Sequence, residues 1–162
     1  MELHQVVLRQ YKGPLKMLGK AIELCPDDLW LQGSPNRFWH IAFHALFYTH
    51  FYLSTTDKDF VPWTKHRAEY NFLGAIPGRP DAPRIDLIPY TQAELLEYHA
   101  LVLDVVQQQV PALNWTAPSG FSWLPFDKLE LQLYTIRHTQ HHTGQLADRI
   151  RTAANIGLPW AR

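Results

Sequence analysis

Cysteine is almost missing from this chain: Cys25 stands alone among 162 residues. That excludes an internal disulfide and any cysteine-based metal cluster. An excess of charge of either sign is missing too. Fifteen Lys and Arg face fifteen Asp and Glu, so the formal net charge is zero. No basic field exists to hold a phosphate backbone, and no nucleic-acid partner is expected. The longest apolar stretch, residues 39–53, is interrupted by His40, His44 and His50. It is too short to span a bilayer, so no membrane partner is expected. The opening MELHQVVLRQ carries Glu2 and Arg9 and lacks a signal-peptide core, which predicts a cytoplasmic protein. Strand-like alternation and internal repeats are absent as well.

What is present suits one domain over residues 1–162. Apolar residues make up 46% and charged residues 19%, too apolar and too evenly charged for disorder. Residues 3–24 read as a first helix, with Leu3, Val6, Val7, Tyr11, Leu15, Leu18 and Ile22 close to a 3.6-residue period. Gly13-Pro14 should kink it or delay its start. Cys25-Pro26-Asp27-Asp28 ends it. Ser34 reads as an N-cap, with Pro35 at the first helical position of a second helix over about 36–54. That helix is apolar nearly all round, which predicts burial in the middle of the fold.

Periodicity disappears over residues 55–89, where Pro62, Pro77, Pro80, Pro83, Pro89, Gly74 and Gly78 stand. Loops of this length tend to be functional. Trp63, Tyr70 and Phe72 suggest that it folds back over apolar surface, as a lid would. Thr91 and Glu94 form a capping box that opens a third helix to about Gln109, and Pro111 stops it. Asp127 with Glu130 opens a fourth, to about Ala154. Four long helices with one long crossover predict an all-α four-helix bundle.

Histidine is over-supplied. Of nine, six lie within residues 40–50 and 138–142. His138 and His142 are four apart, about 40° on the helical wheel, so both imidazoles point along one stripe. His141 sits at its edge. On the second helix His44 shares a face with His40, Phe47 and Phe51, while His50 is turned away by more than about 100°. An i, i+4 histidine pair reaches one divalent cation, and a histidine from a facing helix supplies a third nitrogen. Three protein ligands leave positions open for water or substrate, as catalytic metal sites require. Neutral imidazole suits zinc, nickel, iron or copper. The plainer alternative is a set of hydrogen-bonded core histidines. Against it, burying several imidazoles without partners is costly. His4, His66 and His99 read as surface or loop residues.

Residues 38–48 (FWHIAFHALFY), followed by Tyr52-Leu53, resemble the second helix of DinB-like proteins. Residues 137–146 (RHTQHHTGQL) resemble that family's last-helix motif, in which a histidine directly precedes an x-Gly-Gln triplet. The resemblance covers nearly the whole chain in helix order and loop placement. It implies an up-down-down-up bundle with the crossover between helices two and three. It further implies a divalent metal, zinc, nickel or iron, held by His44, His138 and His142, with His141 and His50 as orienting or site-lining groups. Many relatives carry an acidic residue near position 50, and His50 departs from that. Some members of the family are thiol-dependent transferases or isomerases, others are called metal-dependent hydrolases, and many form dimers. A homodimer is therefore expected.

The expectation that follows is a metalloenzyme in which a low-molecular-weight thiol, activated on the metal, attacks a small electrophilic substrate. His141, Gln145 and Tyr48 (and His50) are the candidates to orient substrate or move a proton. No Asp or Glu falls on the histidine stripe as a general base, which weakens the hydrolase version. The alternative is a non-catalytic bundle in which the cation ties two helices together. An open coordination position facing a pocket marks the first reading, and a closed, dry site the second.

Overall fold

Helix α1 (Leu3–Leu24) runs through Pro14 in the computed structural model, which describes residues 2–33, 35–81 and 87–161. Its Val7, Tyr11, Leu15, Leu18 and Ile22 recur every three or four residues and are buried, as an amphipathic helix requires. The helix starts well before Gly13-Pro14, so the expected delay does not occur. Pro14 removes one backbone donor, but the apolar stripe lies on both sides of it and packing carries the helix through. The break at Cys25-Pro26 is followed by a single turn, α2 (Asp27–Trp30). Asp27 and Asp28 occupy its first residues, where acidic groups suit the helix dipole.

Helix α3 (Phe38–Phe51) is shorter at both ends than its sequence suggests. Ser34, the expected N-cap, lies outside the described residues. Pro35 precedes the helix rather than opening it, and the extended Arg37 is the capping residue. Phe38, Trp39, Ile41, Ala42, Phe43, Ala45 and Leu46 are at most 3% exposed. A helix without a polar face must sit inside, and α3 packs against both α4 (Gln92–Gln109) and α5 (Lys128–Ala154). Helix α1 packs against the same two. Short 3₁₀ turns at Asp57–Asp59 and Val110–Ala112 complete the regular structure. Among the described residues the only extended pairings are single bridges, Ile76 with Arg79 and Pro118 with Asp127. The fold is all-α.

Both expected helix starts are capped as their residues dictate. The Thr91 hydroxyl accepts from the Glu94 N–H at 3.1 Å, and the Glu94 carboxylate accepts from the Thr91 N–H at 2.9 Å. Asp127 accepts from the Glu130 N–H at 2.8 Å. Residues 55–81 and 87–89 are irregular apart from the turn at Asp57–Asp59 and the Ile76–Arg79 bridge, and their aromatics fold back over apolar surface as expected. Trp63 and Tyr70 belong to the main core, and Trp63 stacks on Tyr98 with ring centroids 4.6 Å apart. Phe72 is only half-buried. The first half of this segment is built into the side of α3.

Polar side chains share the inward face of α5 with Leu131, Leu146 and Ile150. Gln132, Thr135, Thr139 and Thr143 are completely buried. Each threonine hydroxyl donates to the carbonyl four residues back, at 2.7–2.8 Å, an alternative that short hydroxyl side chains offer a helix. Gln132 accepts from Tyr11 and donates to the Tyr52 carbonyl. Thr139 meets Thr49 of α3 at 2.8 Å. Such short side chains let the two helices approach closely, one turn from the histidines. At the start of α5 the buried Lys128 ammonium donates to the Ser54 and Thr55 carbonyls, 2.9 Å each, and so closes the end of α3.

Candidate metal centre

Two helices carry the site. His44 projects from the middle of α3, while His138 and His142 project from successive turns of α5. The Nε2 atom of His138 lies 3.0 Å from that of His44 and 3.1 Å from that of His142. One ligand atom from each ring falls within 4.8 Å of the others, and among the described residues no Cys, Asp or Glu joins them.

The outer nitrogens explain why these atoms face each other. His44 Nδ1 lies 2.7 Å from the Asn71 backbone carbonyl, which can only accept. The proton therefore sits on Nδ1, and Nε2 keeps a bare lone pair. His142 Nδ1 donates in the same way to Gln145 Oε1 at 2.8 Å. Two lone pairs thus converge on His138 Nε2, which owns one proton at most. His138 Nδ1 is buried without a hydrogen-bond partner among the described residues. A proton-poor meeting of three nitrogens is unfavourable by itself and suits a cation. Two nitrogen–zinc bonds of about 2.1 Å span up to about 4 Å, and both contacts of His138 fall inside that span, while the three ligand atoms together lie within 4.8 Å of one another. Three neutral imidazole nitrogens so placed could hold a divalent metal.

Electrostatics point the same way. Burial pushes the His44 imidazole down to about 3, with His142, His138 and His40 adding repulsion against the opposing pull of the Asn71 carbonyl. Burial and the adjacent His142 and His141 take His138 to about 4. His142 is lowered as well, chiefly by burial. All three are neutral at pH 7, the form that binds metal.

The site is not sealed. Tyr134, Arg137, His138 and His141 line an open cleft of about 240 Å³ on the surface of α5, which brings one member of the cluster, His138, to its wall. Tyr48 forms a wall: its ring centroid lies 4.8 Å from that of His44 and 5.6 Å from that of His138. Its hydroxyl accepts from the Asn71 side chain at 3.2 Å. Burial raises its pKa, which keeps the phenol protonated. Gln145 is an exposed residue whose amide oxygen orients His142. His141 is exposed at the cleft, its ring 5.0 Å from that of His142.

The other histidines are not in the cluster. His40 shares the face of His44, but its Nε2 is committed to the Tyr70 carbonyl at 2.7 Å. His50, expected to line the site, instead faces Tyr98 at 3.2 Å and packs on Phe60. His66 lies in the irregular segment as expected, but stacks on Phe43 and Phe47 with a buried, unpartnered Nδ1. His4 and His99 are on helices, half-buried, and bond the Leu113 and Leu15 carbonyls. Gly19 leaves room for the His99 ring, which any Cβ there would overlap.

Three contributors escape sequence reasoning. The Asn71 carbonyl has no signal, because every residue carries one. Tyr134 and Arg137 do have a signal: Tyr134 extends the 138/142 spacing by one turn, and Arg137 pairs with His141 at i, i+4. Cys25 is no nucleophile here. Burial, then Asp28 and Asp27, push its thiol up to about 12, so almost no thiolate exists near neutral pH. No family model, curated protein or solved structure matches the chain.

Proposed function

We propose that α1, α3, α4 and α5 form a DinB-like four-helix bundle that holds one divalent transition metal on His44, His138 and His142. In this reading the protein is a thiol-dependent S-transferase acting on small electrophiles. The observation that carries it is the convergence of three Nε2 atoms, two of them with the opposite nitrogen anchored, beside an open cleft that His138 lines. A closed structural site would have no such approach. When bound, the cation supplies Lewis acidity, which lowers the pKa of a thiol that reaches it. The chain's own part is to hold the geometry. The Asn71 carbonyl and Gln145 fix two rings, Tyr48 walls one side against water, and His141 stands at the entrance with nitrogens able to take or return a proton. The thiol comes from outside, since Cys25 is buried and protonated.

Hydrolysis is the weaker reading, because no carboxylate accompanies the histidines as a base among the described residues. The test is a coupled assay on zinc- or nickel-loaded protein with an aliphatic thiol and an electrophilic alkene or alkyl halide. Thioether formation above the uncatalysed rate in wild type, and not in His142→Ala, supports the transferase. Hydrolysis of ester or amide substrates without thioether formation would overturn it.

A further inference from the structure

The residue beside the triad with no assigned task is Arg137. It is exposed on α5, one position before His138, and it lines the same cleft. Three other arginines of the chain are tied down: Arg67 to the Ile88 carbonyl, Arg149 to the Asn36 carbonyl, Arg79 to Glu69. Among the described residues Arg137 has no carboxylate or carbonyl partner. Its guanidinium lies over the Tyr134 ring, 5.7 Å from the centroid. Stacking of this kind uses the flat face of the guanidinium and leaves its N–H edge for a ligand. One turn further along α5, His141 lines the same cleft. Among the described residues no acidic side chain lines the cleft.

From this placement we infer that the substrate of the site is a small organic acid, held by Arg137 through its carboxylate. The inference rests on the metal-site reading above and names the chemistry of what that site accepts. A planar carboxylate matches the guanidinium fork with two parallel hydrogen bonds. The Tyr134 ring, itself stacked nearly parallel to His138 at 6.4 Å, offers a flat apolar surface between the arginine and the triad. An unsaturated or aromatic body fits there, which puts its reactive carbon toward the Nε2 atoms while the acid group stays at the rim. Size limits the class. The cleft, about 240 Å³, is smaller than the roughly 300–1,000 Å³ of drug-sized sites, so a short acid fits and a polymer does not.

Benzoate and its uncharged analogue benzamide are the probes. Titration calorimetry is run on zinc-loaded wild type and Arg137→Gln, with zinc content measured in both, and the Arg137 side-chain Nε resonance followed by NMR. The expected result is equal zinc content, benzoate binding at least roughly tenfold weaker in the variant, as for a lost charge-assisted pair, and benzamide unaffected. A wild-type Nε shift on adding benzoate should accompany it. Equal benzoate affinity in both proteins would mean that the anion sits on the metal alone, and it overturns the assignment. Benzamide binding as tightly as benzoate does so too. If wild type takes up no zinc, the metal reading fails on its own. The same titration of metal-free protein then decides Arg137 separately: a loss in the variant keeps it, and no loss removes it.

Discussion

Helix α3 buries imidazoles on two sides, and the two sides differ. Toward α4, His50 faces the Tyr98 hydroxyl and packs on Phe60, and nearby His66 stacks on Phe43 and Phe47. Toward α5, His44 meets His138, and through it His142, nitrogen to nitrogen. Burial lowers the pKa on both sides: His50 goes to about 4, as His138 does. A depressed pKa therefore does not separate a site from a core. What separates them is where the lone pairs go. On the α4 side the rings meet hydroxyls and aromatic faces. On the α5 side acceptors behind His44 and His142 force their protons outward and turn two bare nitrogens on a third.

The contrast can be broken most strongly by removing one member from each side. His142→Ala should abolish binding of a stoichiometric metal and with it the stabilisation the metal confers. That is about 4 kcal/mol when free metal stands ~1,000-fold above its Kd, readable as a zinc-dependent rise in Tm that the variant lacks. His50→Ala should keep the zinc-dependent rise.

Acid is the second lever. These histidines bind protons less readily folded than unfolded, so the unfolded state carries more protons below its pKa near 6.5. Stability of metal-free protein should be flat above about pH 6.5. It should fall as pH drops toward about 4, the range set by His138 and His50, with His44 extending it toward about 3. Urea unfolding across that range measures it. His50→Gln should make the slope shallower without touching metal uptake. A slope that persists unchanged would mean that His50 does not titrate as its burial requires.

A smaller effect is expected from Tyr98→Phe, which removes the hydroxyl partner of His50. The loss should be about 1–3 kcal/mol for a buried group left unsatisfied, seen in chemical denaturation, with metal affinity unchanged. Smallest is Gln145→Ala. Freed of its oxygen partner, His142 should bind metal roughly tenfold more weakly, about 1.4 kcal/mol, as for other residues that orient a ligating histidine. Competition against a chromogenic chelator would measure it.

Much of this is legible in the sequence itself. The periodicity of α1, the capping box at Thr91 and the N-cap at Asp127 are local, and local chemistry decides them. The pair His138 and His142 follows from helical spacing alone. His44 does not, because His40 shares its face and nothing within the helix distinguishes them. The distinction lies in the neighbouring irregular segment, where Tyr70 and Asn71 present carbonyls to the two rings. Backbone carbonyls leave no trace in residue identity. The same holds for Pro14: a local rule predicts trouble, and a long buried stripe on both sides overrides it. His50 departs from its expected place because its direction on the wheel, more than about 100° from His44, points it to α4 rather than α5.

Metal content tests the central claim most directly. Protein purified without a metal-affinity tag, beside the triple variant His44→Ala, His138→Ala, His142→Ala, goes to elemental analysis before and after exposure to zinc or nickel. The expected result is about one transition-metal equivalent per chain in wild type and none in the variant. Wild type that takes up no metal even after exposure would contradict it, leaving a helical protein whose buried histidines do no more than pack.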